Sequence, residues 1–136
     1  MNKANTKKLY EAFPALYADH DKPMSQTCMC WGFECGDGWF DLIFNLSKVI
    51  EDEAEKSGTT RSSYLWPRAA QVKEKYGTLR FYVTNGSEPI YNLITQAEAK
   101  SAHTCEDCGL PGMTREGGWI HTTCSTCEGL RNKKRK

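Results

Sequence analysis

Apolar side chains recur at three- and four-residue steps over residues 39–50. Trp39, Leu42, Ile43, Leu46, Val49 and Ile50 mark one face of a helix. Asp37 is placed to cap its start and Gly58 to follow its end. The acidic run from Glu51 to Glu55 reads as a solvated helix end, or as a charged contact surface. A second helical face, Leu9, Tyr10, Phe13, Leu16 and Tyr17, is broken by Pro14, which predicts a kink or two short helices. The period changes to two over residues 68–84. Leu79, Phe81 and Val83 alternate with Arg80, Tyr82 and Thr84, the mark of a half-buried strand. Val72 and Tyr76 belong to its hairpin partner, and Gly77 marks the reversal. Asn85-Gly86 closes the second strand, and Ser87 caps a third helix with Pro89 in its first turn and Ile90, Leu93, Ile94 and Ala97 on its apolar face.

This pattern predicts an α+β fold, with amphipathic helices packed on a small antiparallel sheet and a zinc ribbon at the C-terminal end. The 136 residues divide into an α+β body over 1–102, with its core in 28–102, a ribbon over 103–130 and a basic tail over 131–136. An apolar fraction of 39%, with four Trp, six Tyr and five Phe, suffices for a modest core and argues against a disordered chain, although both ends read as loose. The opening MNKANTKK has no apolar run behind its charges and does not read as a secretory signal. No apolar stretch approaches the roughly 18 residues of a membrane helix. The expected location is the cytoplasm, and no membrane partner is expected.

The net charge of +1 conceals an asymmetry. RNKKRK at the end holds five of the 18 Lys and Arg, which leaves 13 basic against 17 acidic residues, a balance of −4, in the rest. A mildly acidic body with a short basic tail does not offer a broad nucleic-acid surface.

Seven cysteines in a chain without an export signal point to metal ligands before disulfides. Cys105-Glu-Asp-Cys108 and Cys124-Ser-Thr-Cys127 are two pairs with ligand spacing. Two residues between cysteines let both thiolates of a tight turn face one ion, and two such turns complete a tetrahedral zinc site. Redox dithiols are the competing reading, but they usually occur singly beside a βαβ unit. With four thiolates bound, no coordination position remains for water or substrate, so the ion is expected to be structural. Gly109, Pro111, Gly112, Gly117 and Gly118 suit a short ribbon loop, and Trp119-Ile-His121 its return strand.

Cys28, Cys30 and Cys35 form a second group, either core and loop thiols or a second metal site completed by His20 or His103. His103 and His121 lie close to the four-cysteine ligands but are not needed by them. The chain contains no Ser-His-Asp order, phosphate-cradling glycine loop or His-Glu-x-x-His motif, so no catalytic residues are assigned. Trp31, Trp39, Trp66 and Trp119 are core residues or partner contacts. The candidate partner-binding set is Trp119 with Arg131, Lys133, Lys134, Arg135 and Lys136.

Three stretches, GDGWFDLI at 36–43, VKEKYGTLRFYV at 72–83, and CEDCGLPG with GWIHTTCSTC within 105–127, resemble a group of small proteins encoded by tailed phages and prophages. The likeness spans about residues 28–127, close to three-quarters of the chain. It implies an accessory phage protein working in a bacterial cytoplasm and carries no catalytic residues with it. The expected function is therefore non-enzymatic binding of a bacterial host protein. The alternative is nucleic-acid binding through the ribbon and the basic tail.

Overall fold

The computed structural model describes residues 1–135. Four helices, α1 (Lys3–Ala12), α2 (Phe40–Lys56), α3 (Glu88–Ser101) and α4 (Ser125–Arg135), accompany five strands. Strands β1 (Phe33–Glu34), β2 (Arg68–Lys75) and β3 (Thr78–Thr84) form one sheet. Strands β4 (Met113–Arg115) and β5 (His121–Thr123) form a separate two-stranded sheet. The fold is α+β, as the hydrophobic pattern indicates. No helix among the described residues is long and apolar enough to cross a membrane.

α1 ends where Pro14 requires it. The residue before a proline is pushed out of helical geometry, and Phe13 sits at φ −133° while its N–H still closes the last turn on Leu9. The chain then turns through a short 3-10 segment, Ala18–Asp21. β2 and β3 pair antiparallel, and their two-residue reversal places both Tyr76 and Gly77 at positive φ. That is the signature of a turn whose twist matches the strands.

The sheet is mixed rather than wholly antiparallel. β1 adds to β2 in parallel, Phe33 opposite Val72. A parallel neighbour requires a crossover, and α2 supplies it. The other edge, β3, is closed by α3. Ser101 Oγ accepts from the Leu79 N–H at 2.8 Å and a Glu98 carboxylate oxygen from the Phe81 N–H at 3.2 Å. These two side chains satisfy donors that an open edge would present to other chains.

The core gathers Leu9, Leu16, Tyr17, Trp39, Ile43, Leu46 and Ile50 with Val72, Leu79, Phe81, Ile90 and Ile94. Val49, placed on the apolar face of α2 by its spacing, is exposed, while Leu42 is half-buried. Both border a groove of about 170 Å³ between α2 and α3. Tyr17 OH and Ser47 Oγ meet at 2.6 Å inside the core, and Ser47 also donates to the Ile43 carbonyl. The pair is buried and satisfied.

Two readings at the ends of α2 change. Asp37 does not cap α2, which starts without a side-chain cap after the 3-10 turn Asp37–Trp39. Its carboxylate instead accepts from the Asn2 N–H at 2.7 Å and the Asn5 amide at 3.2 Å, fastening the start of α1. Glu51 is not part of a solvated helix end. It is 4% exposed and accepts from Trp66 Nε1 at 3.0 Å, and Arg61 lies against Glu51, Glu55 and the Trp66 ring.

Burial raises the Glu51 carboxyl above its ordinary value of 4.5, against the hydrogen bond from Trp66. A carboxyl raised in the fold binds a proton more tightly there than in the unfolded chain. Its contribution is complete below pH 4.5 and is lost as pH climbs through the raised value. Glu51→Gln keeps an acceptor for Trp66 but cannot ionise. Thermal melts from acid to neutral pH should therefore show the Gln variant gaining on the parent as pH rises. A constant difference would mean that Glu51 does not titrate in this window.

Candidate metal centre

The residues after α3 form a two-knuckle unit seated on the body. The Cys105 N–H donates to the Leu110 carbonyl and the Gly109 N–H returns to the Cys105 carbonyl, closing the first turn. β4 and β5 pair from Met113 opposite Thr123 to Arg115 opposite His121 and carry the chain back to the second pair. Cys124 then acts as the cap of α4. Its carbonyl accepts from the Glu128 N–H at 2.9 Å, and its Sγ accepts from the Cys127 N–H at 3.4 Å, the position that a serine hydroxyl fills in an ordinary cap.

Ligand atoms of Cys105, Cys108, Cys124 and Cys127 all lie within 4.8 Å of one another, and Cys108 Sγ and Cys124 Sγ are 3.7 Å apart. Metal–sulfur bonds of about 2.3 Å at tetrahedral angles put neighbouring sulfurs about 3.8 Å apart, so the observed cage has the right dimensions for one ion. Cys105 is buried, Cys108 exposed, and Cys124 and Cys127 are half-buried. The backbone N–H of Cys127, with its neighbouring thiols, pulls the Cys124 thiol down to about 7. Desolvation, and then the other three thiols, push Cys127 up. Four thiolates this close repel one another until a cation offsets their charge. These four residues are positioned to hold a metal ion.

Glu106, lying between the first two ligands, locks the knuckle to the body. Its carboxylate accepts from the Gly36 N–H at 2.8 Å and its carbonyl from the Gly38 N–H at 2.7 Å, while its own N–H donates to the Thr122 carbonyl. A Cβ on Gly38 would stand 2.2 Å from the Cys105 carbonyl oxygen, so this contact demands glycine. Trp39 Nε1 donates to the Thr104 carbonyl at 2.8 Å, one residue before the first ligand. From the hairpin, the Gly77 carbonyl accepts the Thr122 hydroxyl at 2.6 Å.

The last turns are tied in as well. Arg131 makes two 2.7 Å hydrogen bonds to the Asp107 carboxylate and lies 5.3 Å from the Trp119 ring centroid. This fork holds the Asp107 carboxyl below the usual range. His121 Nε2 lies 2.6 Å from Glu128 Oε1, which also accepts the Thr123 hydroxyl. The segment expected as a loose tail therefore begins as helix α4, with Arg131 committed to the knuckle. Lys133 and Lys134 are exposed on that helix; Arg135 ends it, and Lys136 lies outside the described residues.

Cys28, Cys30 and Cys35 are not drawn into a ligand cluster. Among the described residues the four-cysteine group is the only gathering of three or more potential metal-ligating side chains. Cys28 is exposed, Cys30 half-buried, and Cys35 buried with its thiol pushed up to about 12 by desolvation. His20 stacks on Tyr10 with ring centroids 4.0 Å apart, and His103 is exposed. Of the tryptophans, Trp39 and Trp66 are core residues, whereas Trp31 and Trp119 are exposed. Glu106, Glu98 and Ser101 carry no local sequence signal for their roles, because each partner lies on another element. The local signal that could have pointed to Glu106 is the pair Gly36 and Gly38 on either side of Asp37, where the Glu106 carboxylate and carbonyl are received. No family model, curated protein or solved structure matches this chain.

Proposed function

We propose that this chain is a zinc-stapled binding protein without catalytic chemistry of its own, encoded by a tailed phage or prophage, that acts in the bacterial cytoplasm by occupying a host protein. The observation that carries this reading is the closed four-sulfur cage locked to the body through Glu106. Four soft thiolates in a tetrahedron suit Zn²⁺, and with all positions filled the ion serves as a staple. What remains for function is surface, and it includes the exposed rings of Trp31, Tyr64, Tyr76 and Trp119. Aromatic side chains of this kind dominate binding energy at protein interfaces.

The competing nucleic-acid reading rests on the basic C-terminal residues. Because Arg131 is spent on Asp107, deleting the chain from residue 132 onward removes four positive charges and leaves the knuckle intact. Tagged full-length protein incubated with bacterial lysate should retain a host protein after nuclease treatment, and the deletion should retain it equally. Capture that disappears with nuclease or with the deletion would move the function to nucleic acid. In that case each lost phosphate contact should lower the salt slope by about 0.7–0.9.

A further inference from the structure

We propose that the four-cysteine centre is a peroxide-responsive clasp, in which oxidation joins Cys108 to Cys124, dismantles the ligand set and frees α4 from the first knuckle. This inference rests on the zinc-staple reading above and names how the staple is opened. The four thiols differ in access. Cys105 has no exposed surface, Cys124 and Cys127 are half-buried, and Cys108 is exposed. Cys108 Sγ also lies 3.7 Å from Cys124 Sγ, across the gap between the two knuckles. The sulfur that meets solvent first therefore has a second sulfur in van der Waals contact. Bringing the pair to a disulfide length of about 2.05 Å asks for a small movement of two surface turns. In reducing compartments, bridges of this kind are transient and redox-sensing.

The chemistry needs a two-electron oxidant, and hydrogen peroxide supplies it. A cysteine that serves as a metal ligand is held as thiolate, the nucleophilic form. The Cys108 thiolate attacks one peroxide oxygen. An S–O bond forms, the O–O bond breaks, and the departing hydroxide takes a proton to become water. The Cys124 thiolate then attacks the oxidised sulfur, which forms the S–S bond and expels the remaining oxygen as a second water. Two thiolates give up two electrons, the peroxide accepts them, and two protons from solvent complete the balance. Cys105 and Cys127 are left, two ligands where a tetrahedral site needs four.

Of the elements tied by the centre, α4 loses most. The apolar core takes no residue from it, and Leu130 on the helix is exposed. What remains is the Arg131 fork on Asp107 and the Glu128 carboxylate on His121 and Thr123. The first is an ion pair at the surface, and such pairs contribute little. The new bridge would run from the first knuckle to the residue after β5, so it keeps the β4–β5 ribbon closed while α4 comes away.

The test treats full-length zinc-loaded protein with hydrogen peroxide beside a zinc-responsive dye, and maps the disulfides by mass spectrometry without reduction. One ion should be released for each Cys108–Cys124 bridge, with hydrogen exchange rising in α4 and unchanged in the β2–β3 hairpin. A dithiol reductant with added zinc should reverse both. Cys28 is the other exposed thiol and the competing target, so the Cys28→Ser, Cys30→Ser double variant should release zinc at the parent's rate. Cys108→His keeps a zinc ligand but cannot form the bridge, and should release the ion at least about tenfold more slowly. If Cys108→His binds no zinc, the disulfide map of the parent decides alone. Zinc retained while Cys28 and Cys30 oxidise, release with a Cys105–Cys108 or Cys124–Cys127 bridge, or equally fast release from Cys108→His would overturn the proposal and leave the staple standing. Protein purified under reducing conditions without zinc would overturn the staple, and this inference with it.

Discussion

Purified under reducing conditions, the chain should carry one equivalent of zinc, and Cys105→Ser or Cys127→Ser should release it together with the fold of residues 103–135. The reason is the absence of any other support of comparable size. The apolar core draws its members from the body up to Ala97, and none comes from β4, β5 or α4. β4 and β5 are three residues each, and a lone two-stranded ribbon is marginal in water. Apparent binding energies of structural zinc in finger peptides are on the order of 10–16 kcal/mol, beyond what so short a unit can recover by packing. Hydrogen exchange should show protection lost at Glu106, Thr122 and the α4 amides, with the β2–β3 hairpin kept. Metal analysis showing no zinc, with the same protection pattern, would sink the assignment. Two equivalents would instead bring Cys28, Cys30 and Cys35 back as ligands.

Trp39→Ala should cost about 3–5 kcal/mol, the range for truncating a fully buried aromatic side chain. Trp39 has no exposed surface and sits where the body meets the first knuckle. The substitution leaves a void next to the start of α2 and removes the donor from the Thr104 carbonyl. Trp39→Phe separates the two effects. It refills much of the volume and leaves only the carbonyl unpaired, a loss of about 1–3 kcal/mol if water cannot reach it. Both variants should keep one equivalent of zinc but surrender it to a chelator faster than the parent, since the knuckle has lost its anchor on the body. If Trp39→Ala melts with the parent, the body and the metal unit are not coupled through this residue.

Much of this architecture is set by local rules and was legible in order along the chain. The three- and four-residue steps of Trp39, Ile43, Leu46 and Ile50 specify the buried face of α2. The alternation of Leu79, Phe81 and Val83 specifies a strand, and Gly77 its turn. Ser87 caps α3 as its position indicates, and the cysteine pairs converge as their spacing requires. Periodicity reads these correctly because it records which face of one element avoids water, and a two-residue knuckle needs nothing beyond itself.

Pairings between elements distant in the chain were decided only in three dimensions. Glu106 reaches Gly36 and Gly38, Asp37 turns to Asn2 and Asn5, Arg131 leaves the basic run for Asp107, and Glu51 takes Trp66. By sequence each charged member of these pairs resembles an ordinary solvated group, since a carboxylate or guanidinium costs little in water and shows no period. Their roles exist because folding removes water from them and leaves a specific donor or acceptor in reach, often tens of residues away. The cysteines determine that a metal can be held. The partners of Glu106 and Arg131 determine which part of the molecule it holds together.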